Sequence, residues 1–250
     1  VPAASPTWKT PIDGDPLSIF GGVIMVNFPI DGESAAVLRT YRMQQGEKRI
    51  LDGVIAPSFD EFAASVLERK AGKCRMLENE ALGSLSAEDL PRTLYRMDEY
   101  GGFLRQEGEP FVLDLGDPRM ERFGELTDQQ RRDLVLAWAI CSTSRSNTIT
   151  LTKNSMLIGN GVGQQARVRT AKLAISIARE CGHELEQSVC CSDSFFPFED
   201  GPILLAEAGV KAIFASSGSV NDNEVLKACL SRSVTLWQLS DKVCRGFYGH

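Results

Sequence analysis

The sequence predicts an α/β protein of two tandem lobes, each a mostly parallel sheet covered by helices. Three observations predict it. From Ile19 to Leu77, short β-branched or glycine-bearing runs alternate with helical periodicity in the order strand, helix, strand, helix, strand. From Thr127 to Leu239 the same alternation returns. Between the two, residues 86–126 hold Gly, Pro and charge around short strand candidates, and read as a connecting region. The expected division is therefore 1–85, 86–126 and 127–250.

In chain order, Val1 to Gly14 is rich in Pro, Ser and Thr and reads as extended. Ile19 to Asn27 reads as a buried strand whose Gly21-Gly22 pair permits close backbone approach. Ala35, Ala36, Leu38 and Met43 give residues 33–45 the loose apolar face of a helix. Val54 to Ala56 is a short strand, Ser58-Phe-Asp-Glu61 fits a capping box for a helix closing near Gly72, and Cys74 to Leu77 is a strand. Arg92–Met97 and Phe111–Leu115 are the strand candidates of the connecting region. Thr127-Asp-Gln-Gln130 opens a helix that runs through Trp138 to Cys141. Thr148 to Thr152 is a β-branched strand, after which Gly159, Gly161 and Gly163 lead into a helix from about Gln164 to Cys181, stopped by Gly182. Strands follow at Ser188–Cys191, Val210–Ala215 and Val234–Leu239. Helices start near Pro202 and cover Asn223–Ser231.

The 250 residues are 43% hydrophobic and 24% charged, an ordinary soluble composition with room for two cores. A net charge of −6 gives no electrostatic case for nucleic acid as the main partner. No apolar run reaches the roughly 18–20 residues of a membrane span and no signal peptide is recognisable, so a cytoplasmic location is expected. Seven cysteines without framework spacing, two of them adjacent at Cys190-Cys191, read as reduced thiols. Two histidines, His183 and His250, and the absence of any C-x-x-C pair argue against zinc.

The chemistry is expected between Ser144 and Arg169. A polar turn at Asn147, a strand, a glycine run and a helix start would bring bare N–H groups to one point, an arrangement that suits an anion, with Arg167 adding a fixed cation. Two other readings stand beside it. Gly161-Val-Gly163-Gln-Gln-Ala166, with Glu184 and Glu186 further on, matches the loose dinucleotide fingerprint of an oxidoreductase. The glycines can also be a purely structural turn. Further along, three phenylalanines around Pro197, bracketed by Asp193 and Asp200, are either a satellite core or an aromatic wall with acids placed for a flat heterocycle.

Taken together, Ser146-Asn147, Lys153-Asn154, Ile158-Gly-x-Gly-x-Gly-Gln-Gln-x-Arg167 and Asp193-x-Phe-Phe-Pro-Phe-x-Asp-Gly201 resemble the transformylase part of the bifunctional purine biosynthesis proteins. Ala206–Ile213, Gly218-Ser219 with Asp222 and Glu224-Val225, Arg245-x-Phe247 and His250 agree in order and spacing. So do Asp15-Pro-x-Ser18-x-Phe-Gly-Gly22 and Asp52-Gly-x-Ile-Ala-Pro-Ser-Phe59 near the start. The resemblance covers almost the whole chain. It implies formyl transfer from 10-formyltetrahydrofolate, as co-substrate, to the amine of the ribonucleotide AICAR in IMP biosynthesis. It also implies two cytidine-deaminase-like lobes without zinc, and a homodimer. By position it makes Asn147 the catalytic asparagine, and it puts Phe20, Gly21, Asp52, Phe195, Arg245 and Phe247 at the nucleotide. Arg167, Phe198, Asp200 and Ser219 fall near the folate.

The residue types suit the reaction so implied. An amine conjugated to an imidazole is a poor nucleophile, so a proton must be removed and a tetrahedral oxyanion stabilised. The resemblance puts the family's Lys-His pair upstream of Asp15-Pro16, and its Arg-Tyr pair and cyclohydrolase domain further upstream. These are expected to lie outside the 250 residues. Within the chain, Ala139 and Arg145 stand where the pattern has lysines. A non-catalytic folate- or nucleotide-binding paralogue is the alternative to an enzyme.

Overall fold

The computed structural model describes residues 8–90, 93–107 and 111–244, and its chain divides between Asp89 and Leu90 into two compact units. The first unit contains α1 (Lys9–Gly14), β1 (Gly22–Met25), α2 (Gly32–Thr40), β2 (Leu51–Ala56), α3 (Glu61–Leu67) and β3 (Arg75–Glu78). The strands form a parallel sheet in the order β1-β2-β3. Both main helices start at an aspartate: Asp31 accepts from Ser34 N at 2.8 Å and Asp60 from Ala63 N at 2.6 Å. Ala35 and Leu38 of α2 meet Ala63 and Leu67 of α3 over Leu51, Val54 and Ala56 of β2.

Three expectations for this unit are corrected. Residues 9–14 are helical rather than extended, because Ile12 and Trp8 dock into the core and Pro11 falls in a first turn, where no N–H is missed. The cap of α3 is Asp60, not Ser58, and the helix stops at Leu67 rather than near Gly72. The strand expected buried over 19–27 is shorter and one-sided. Val23 and Met25, at 65% and 63% exposure, share with Leu77, at 56%, the face away from the helices.

The second unit begins with a hairpin of β4 (Thr93–Met97) and β5 (Phe103–Glu107), turned by Asp98, whose carboxylate accepts from Tyr100 N and Gly102 N. Then come β6 (Glu121–Phe123), α4 (Asp128–Thr143), β7 (Ile149–Lys153), β8 (Met156–Gly161), α5 (Arg167–Glu180), β9 (Val189–Ser192) and α6 (Asp200–Ala208). β10 (Ala212–Ser217), α7 (Asp222–Leu230), β11 (Thr235–Ser240) and α8 (Asp241–Cys244) complete it. The sheet order is β6-β11-β10-β9-β7-β8. β9, β10 and β11 are parallel; β8, antiparallel to β7 as β9 is, shares their direction, while β6 and β7 oppose it.

Alternation along β9 splits the core in two. Cys190 joins the layer under α5, α6 and α7, while Val189 and Cys191 face α4. Thr127 and Gln130 exchange backbone and side-chain bonds in a capping box that starts α4. Phe111–Leu115 is not a strand. Tertiary packing claims it instead: Leu113 is buried under α4 and Phe111 sets its ring edge-on to Trp138, centroids 5.6 Å apart. All seven cysteines are free, and burial raises the Cys190 and Cys191 thiols well above their usual range and Cys229 to about 12, so these three stay protonated.

The glycine run is also different from expectation. Gly159 and Gly161 lie inside β8, the hairpin partner of β7, and only Gly163 is in the loop before α5. A Cβ on Gly159 would lie 2.3 Å from the Ala174 carbonyl oxygen, and one on Gly161 2.2 Å from that of Thr170. Where a ligand would have to approach these two residues, the backbone of α5 is already seated. They are glycines so that helix and strand can touch.

Among the described residues no group of three or more His, Cys, Asp or Glu could hold a metal ion. No helix there is long and apolar enough to cross a membrane.

Candidate functional site

Pairing between β7 and β9 builds the site. Ile149 opposes Ser192, so the residues just before β7 lie beside those just after β9. Thr148 N donates to Asp193 Oδ1 at 3.0 Å, and Asp193 N donates to Thr148 O at 3.2 Å. The loop before α5 closes on the same point: Gly163 N donates to the carbonyls of Arg145 and Asn147, both at 2.9 Å. Gly163 has φ +70°, a conformation that suits glycine. The site thus stands beyond the C-terminal end of a parallel strand, the usual ligand position in open α/β sheets.

Arg167, first residue of α5 and only 8% exposed, is the hub. Its Nη1 pairs with the fully buried Asp193 Oδ1 and donates to Ser192 Oγ at 2.8 Å; its Nη2 donates to Asn147 Oδ1 at 2.7 Å. Asn147 Nδ2 donates to Gln164 O at 2.8 Å. Burial pushes the Asp193 carboxyl up, but the Arg167 charge and hydrogen bonds from Ser146, Arg167 and Thr148 outweigh it and hold the group below the usual carboxylate range. One of the two sequence readings of this segment offers Asp193 to a ligand; in the structure its Oδ1 serves Arg167 and Thr148.

Beside this hub opens a cavity of about 430 Å³. Asn147 and residues 165–168 line it together with Ser194 to Phe198 and Asp200. Phe196 is buried against the core, whereas Phe198 stands 59% exposed and Asp200 is at the exposed start of α6. The cavity therefore combines flat apolar walls, a solvated carboxylate, and an amide fixed by a guanidinium. That combination suits a flat, polar-edged heterocycle better than a bare anion, because Arg167, the guanidinium that lines it among the described residues, already has a carboxylate partner.

The candidate residues fall into separate places. Asn147, Arg167, Phe195, Phe198 and Asp200 share this cavity. Ser219 is in the loop after β10, where its Oγ accepts from Asn221 N and Asn221 Nδ2 donates to Pro197 O at 2.7 Å, tying that loop to the aromatic wall. Phe20, Gly21 and Asp52 belong to the first unit. There Phe20 lines a cavity of about 340 Å³ with residues 42, 43 and 47–50. A Cβ on Gly21 would sit 3.4 Å from Asp52 Oδ2, and Asp52 pairs with Arg69 at 3.0 Å. Arg245 and Phe247 lie outside the described residues. Sequence reasoning missed Ser192, Ser194 and Gln164, whose roles follow from strand pairing and loop closure rather than from any local pattern.

The sequence model of the AICARFT/IMPCHase bienzyme family matches residues 2–177. The chain belongs to that family. A bifunctional purine biosynthesis protein PurH from Chlorobium phaeobacteroides (strain BS1) is 35% identical over 214 residues, 86% of this chain and 38% of that protein. PurH from Aquifex aeolicus (strain VF5) is 32% identical over 224 residues, 90% of this chain and 40% of that protein. The chain thus spans about two fifths of the length of these relatives. A Thermotoga maritima diaminohydroxyphosphoribosylaminopyrimidine deaminase/5-amino-6-(5-phosphoribosylamino)uracil reductase aligns at TM-score 0.31 and 18% identity, over 48% of this chain and 39% of that one, too low to bear on the fold. Within the AICARFT/IMPCHase family match lie Asn147 and Arg167; the aromatic wall follows it in sequence.

Proposed function

We propose that this chain carries the formyl-transfer site of an AICAR transformylase, taking the formyl group of 10-formyltetrahydrofolate to the amine of AICAR in IMP biosynthesis. Membership of the AICARFT/IMPCHase family supports the reaction. The single observation that carries the site assignment is the Asn147–Arg167 pair in the lining of an aromatic-walled cavity.

In this reading the pterin of the folate lies between Phe198 and α5, with Asp200 accepting from pterin N–H groups. Asn147 Nδ2 carries two protons; Gln164 takes one, and the other is the donor to the formyl oxygen as it becomes an oxyanion. Arg167 holds the amide in that orientation and Ser219 closes the folate end. Nucleotide-binding roles go to Phe20, Gly21 and Asp52 in the first unit and separately to Phe195 in the second, with Arg245 and Phe247 as further candidates, Arg245 for a phosphate. The two units are lobes of cytidine-deaminase-like kind that use no zinc, and the protein acts as a cytoplasmic homodimer. The helix-covered, mostly one-directional sheets support the lobe assignment.

The dinucleotide alternative loses its support, since Gly161 is inside an edge strand packed on α5 rather than in a phosphate turn. The test is release of tetrahydrofolate by the full-length gene product. It should require AICAR and fall sharply with Asn147→Ala; AICAR-independent release, or undiminished release in the variant, would contradict the assignment.

A further inference from the structure

We propose that Asp241 is a positioning residue of the second unit's cavity, acting through Ser194 on the Arg167 hub without touching the ligand. Asp241 is the first residue after β11, and its Oδ1 accepts from two hydroxyls: Ser216 Oγ of β10 at 2.7 Å and Ser194 Oγ, just past β9, at 3.0 Å. One carboxylate oxygen therefore fastens the C-terminal ends of three adjacent strands. Ser194 lines the cavity and opens the segment that becomes its aromatic wall.

From Ser194 the restraint continues to the hub. Its carbonyl accepts from Ser192 Oγ at 2.7 Å, and Ser192 Oγ accepts from Arg167 Nη1 at 2.8 Å. Ser192 has a single hydroxyl proton, so donating it to Ser194 leaves only its lone pairs for Arg167, which can only donate. Donor and acceptor roles along Arg167, Ser192 and the Ser194 carbonyl are thus fixed. The Ser194 hydroxyl is fixed too, because an ionised carboxylate only accepts. Ser192, Ser194 and Ser216 are all buried, where a lost partner is costly. A shift of the Ser194 peptide would move the cavity wall and the Arg167 contact together.

The ligand part of this inference rests on the folate reading; the positioning part does not. Two readouts separate them: calorimetric binding of 10-formyltetrahydrofolate, and NMR of the Arg167 guanidinium protons, whose exchange is slow while they are hydrogen-bonded. Asp241→Ala and Ser194→Ala should weaken folate binding roughly five- to tenfold, as loss of one such bond implies, and speed that exchange. Asp241→Asn keeps the accepting oxygen and should restore both. Ser216→Ala removes a hydroxyl from the same oxygen at a residue that does not line the cavity, and should lower the melting temperature alone. Unchanged Arg167 exchange and binding in folded Ser194→Ala or Asp241→Ala would overturn the proposal, and so would Ser216→Ala matching Ser194→Ala. If the unaltered protein binds no reduced folate, the functional reading fails, while the Arg167 signals still decide the role of Asp241.

Discussion

Arg167 fixes which way the Asn147 amide faces. Its Nη2 donates to Asn147 Oδ1 at 2.7 Å, a guanidinium having no acceptor, so Nδ2 must turn to the Gln164 carbonyl, which has no donor. An amide that can flip is a poor oxyanion donor; one held at both ends is preorganised.

Asn147→Ala and Asn147→Asp should therefore lower turnover of the full-length protein alike, by about 10²–10³, because neither keeps an N–H at that point. Ligand affinity should change little, since the proposed interaction is one made in the transition state. Steady-state kinetics with calorimetric affinities check this. An Asn147→Asp enzyme retaining full turnover would mean that the amide proton has no part.

The Arg167–Asp193 pair is buried, with side-chain exposures of 7% and 0%. Asp193→Asn leaves the guanidinium without its counter-charge and should destabilise the protein by about 3–5 kcal/mol in urea melts. The pair also gives stability a pH signature. The folded Asp193 carboxyl lies below the unfolded value, so the unfolded chain binds the proton more readily and the stabilisation is complete above about pH 4. It is lost as pH falls through the folded value. Urea midpoints should thus hold level above about pH 4 and drop below it, and Asp193→Asn should lose that part of the drop.

Gly161→Ala discriminates packing from ligand binding. Its Cβ would meet the Thr170 carbonyl oxygen at 2.2 Å, which is backbone and cannot rotate away, so β8 and α5 must separate. A loss of about 1–3 kcal/mol is expected. Gly163→Ala meets no neighbour within 4 Å but takes φ +70°, and should cost about 1–2 kcal/mol through backbone strain alone. Denaturation midpoints for the two variants check the order.

Much of this architecture was legible in the sequence because strand and helix periods differ. The α4 capping box at Thr127–Gln130, the β7 alternation and the strand–helix–strand order near both ends read directly from residue types. The glycine run did not. A glycine under a helix and one in a phosphate turn look the same in one dimension, and only the pairing of β8 with β7 separates them. Phe111–Leu115 has strand-like alternation but is held by Trp138 and α4, a tertiary contact that overrides local preference. Asn147, Arg167, Phe195, Phe198 and Asp200, which line one cavity, were singled out through motifs. The commitment of Asp193 to Arg167, and the parts played by Ser192 and Ser194, depend on β7 lying against β9 and carry no local mark.

The proposed homodimer should bury well above about 2,000 Å² in total, as obligate interfaces do. Sedimentation equilibrium of the full-length protein should return twice the chain mass at micromolar concentration. A stable monomer there would remove the dimer from the proposal.

Calorimetry of the protein with reduced folate and with NAD, each on unaltered protein and on Arg167→Ala, tests the central assignment most directly. The account predicts saturable binding of 10-formyltetrahydrofolate that weakens when Arg167 is removed, and no heat from NAD. Binding of NAD with no response to reduced folate would contradict it.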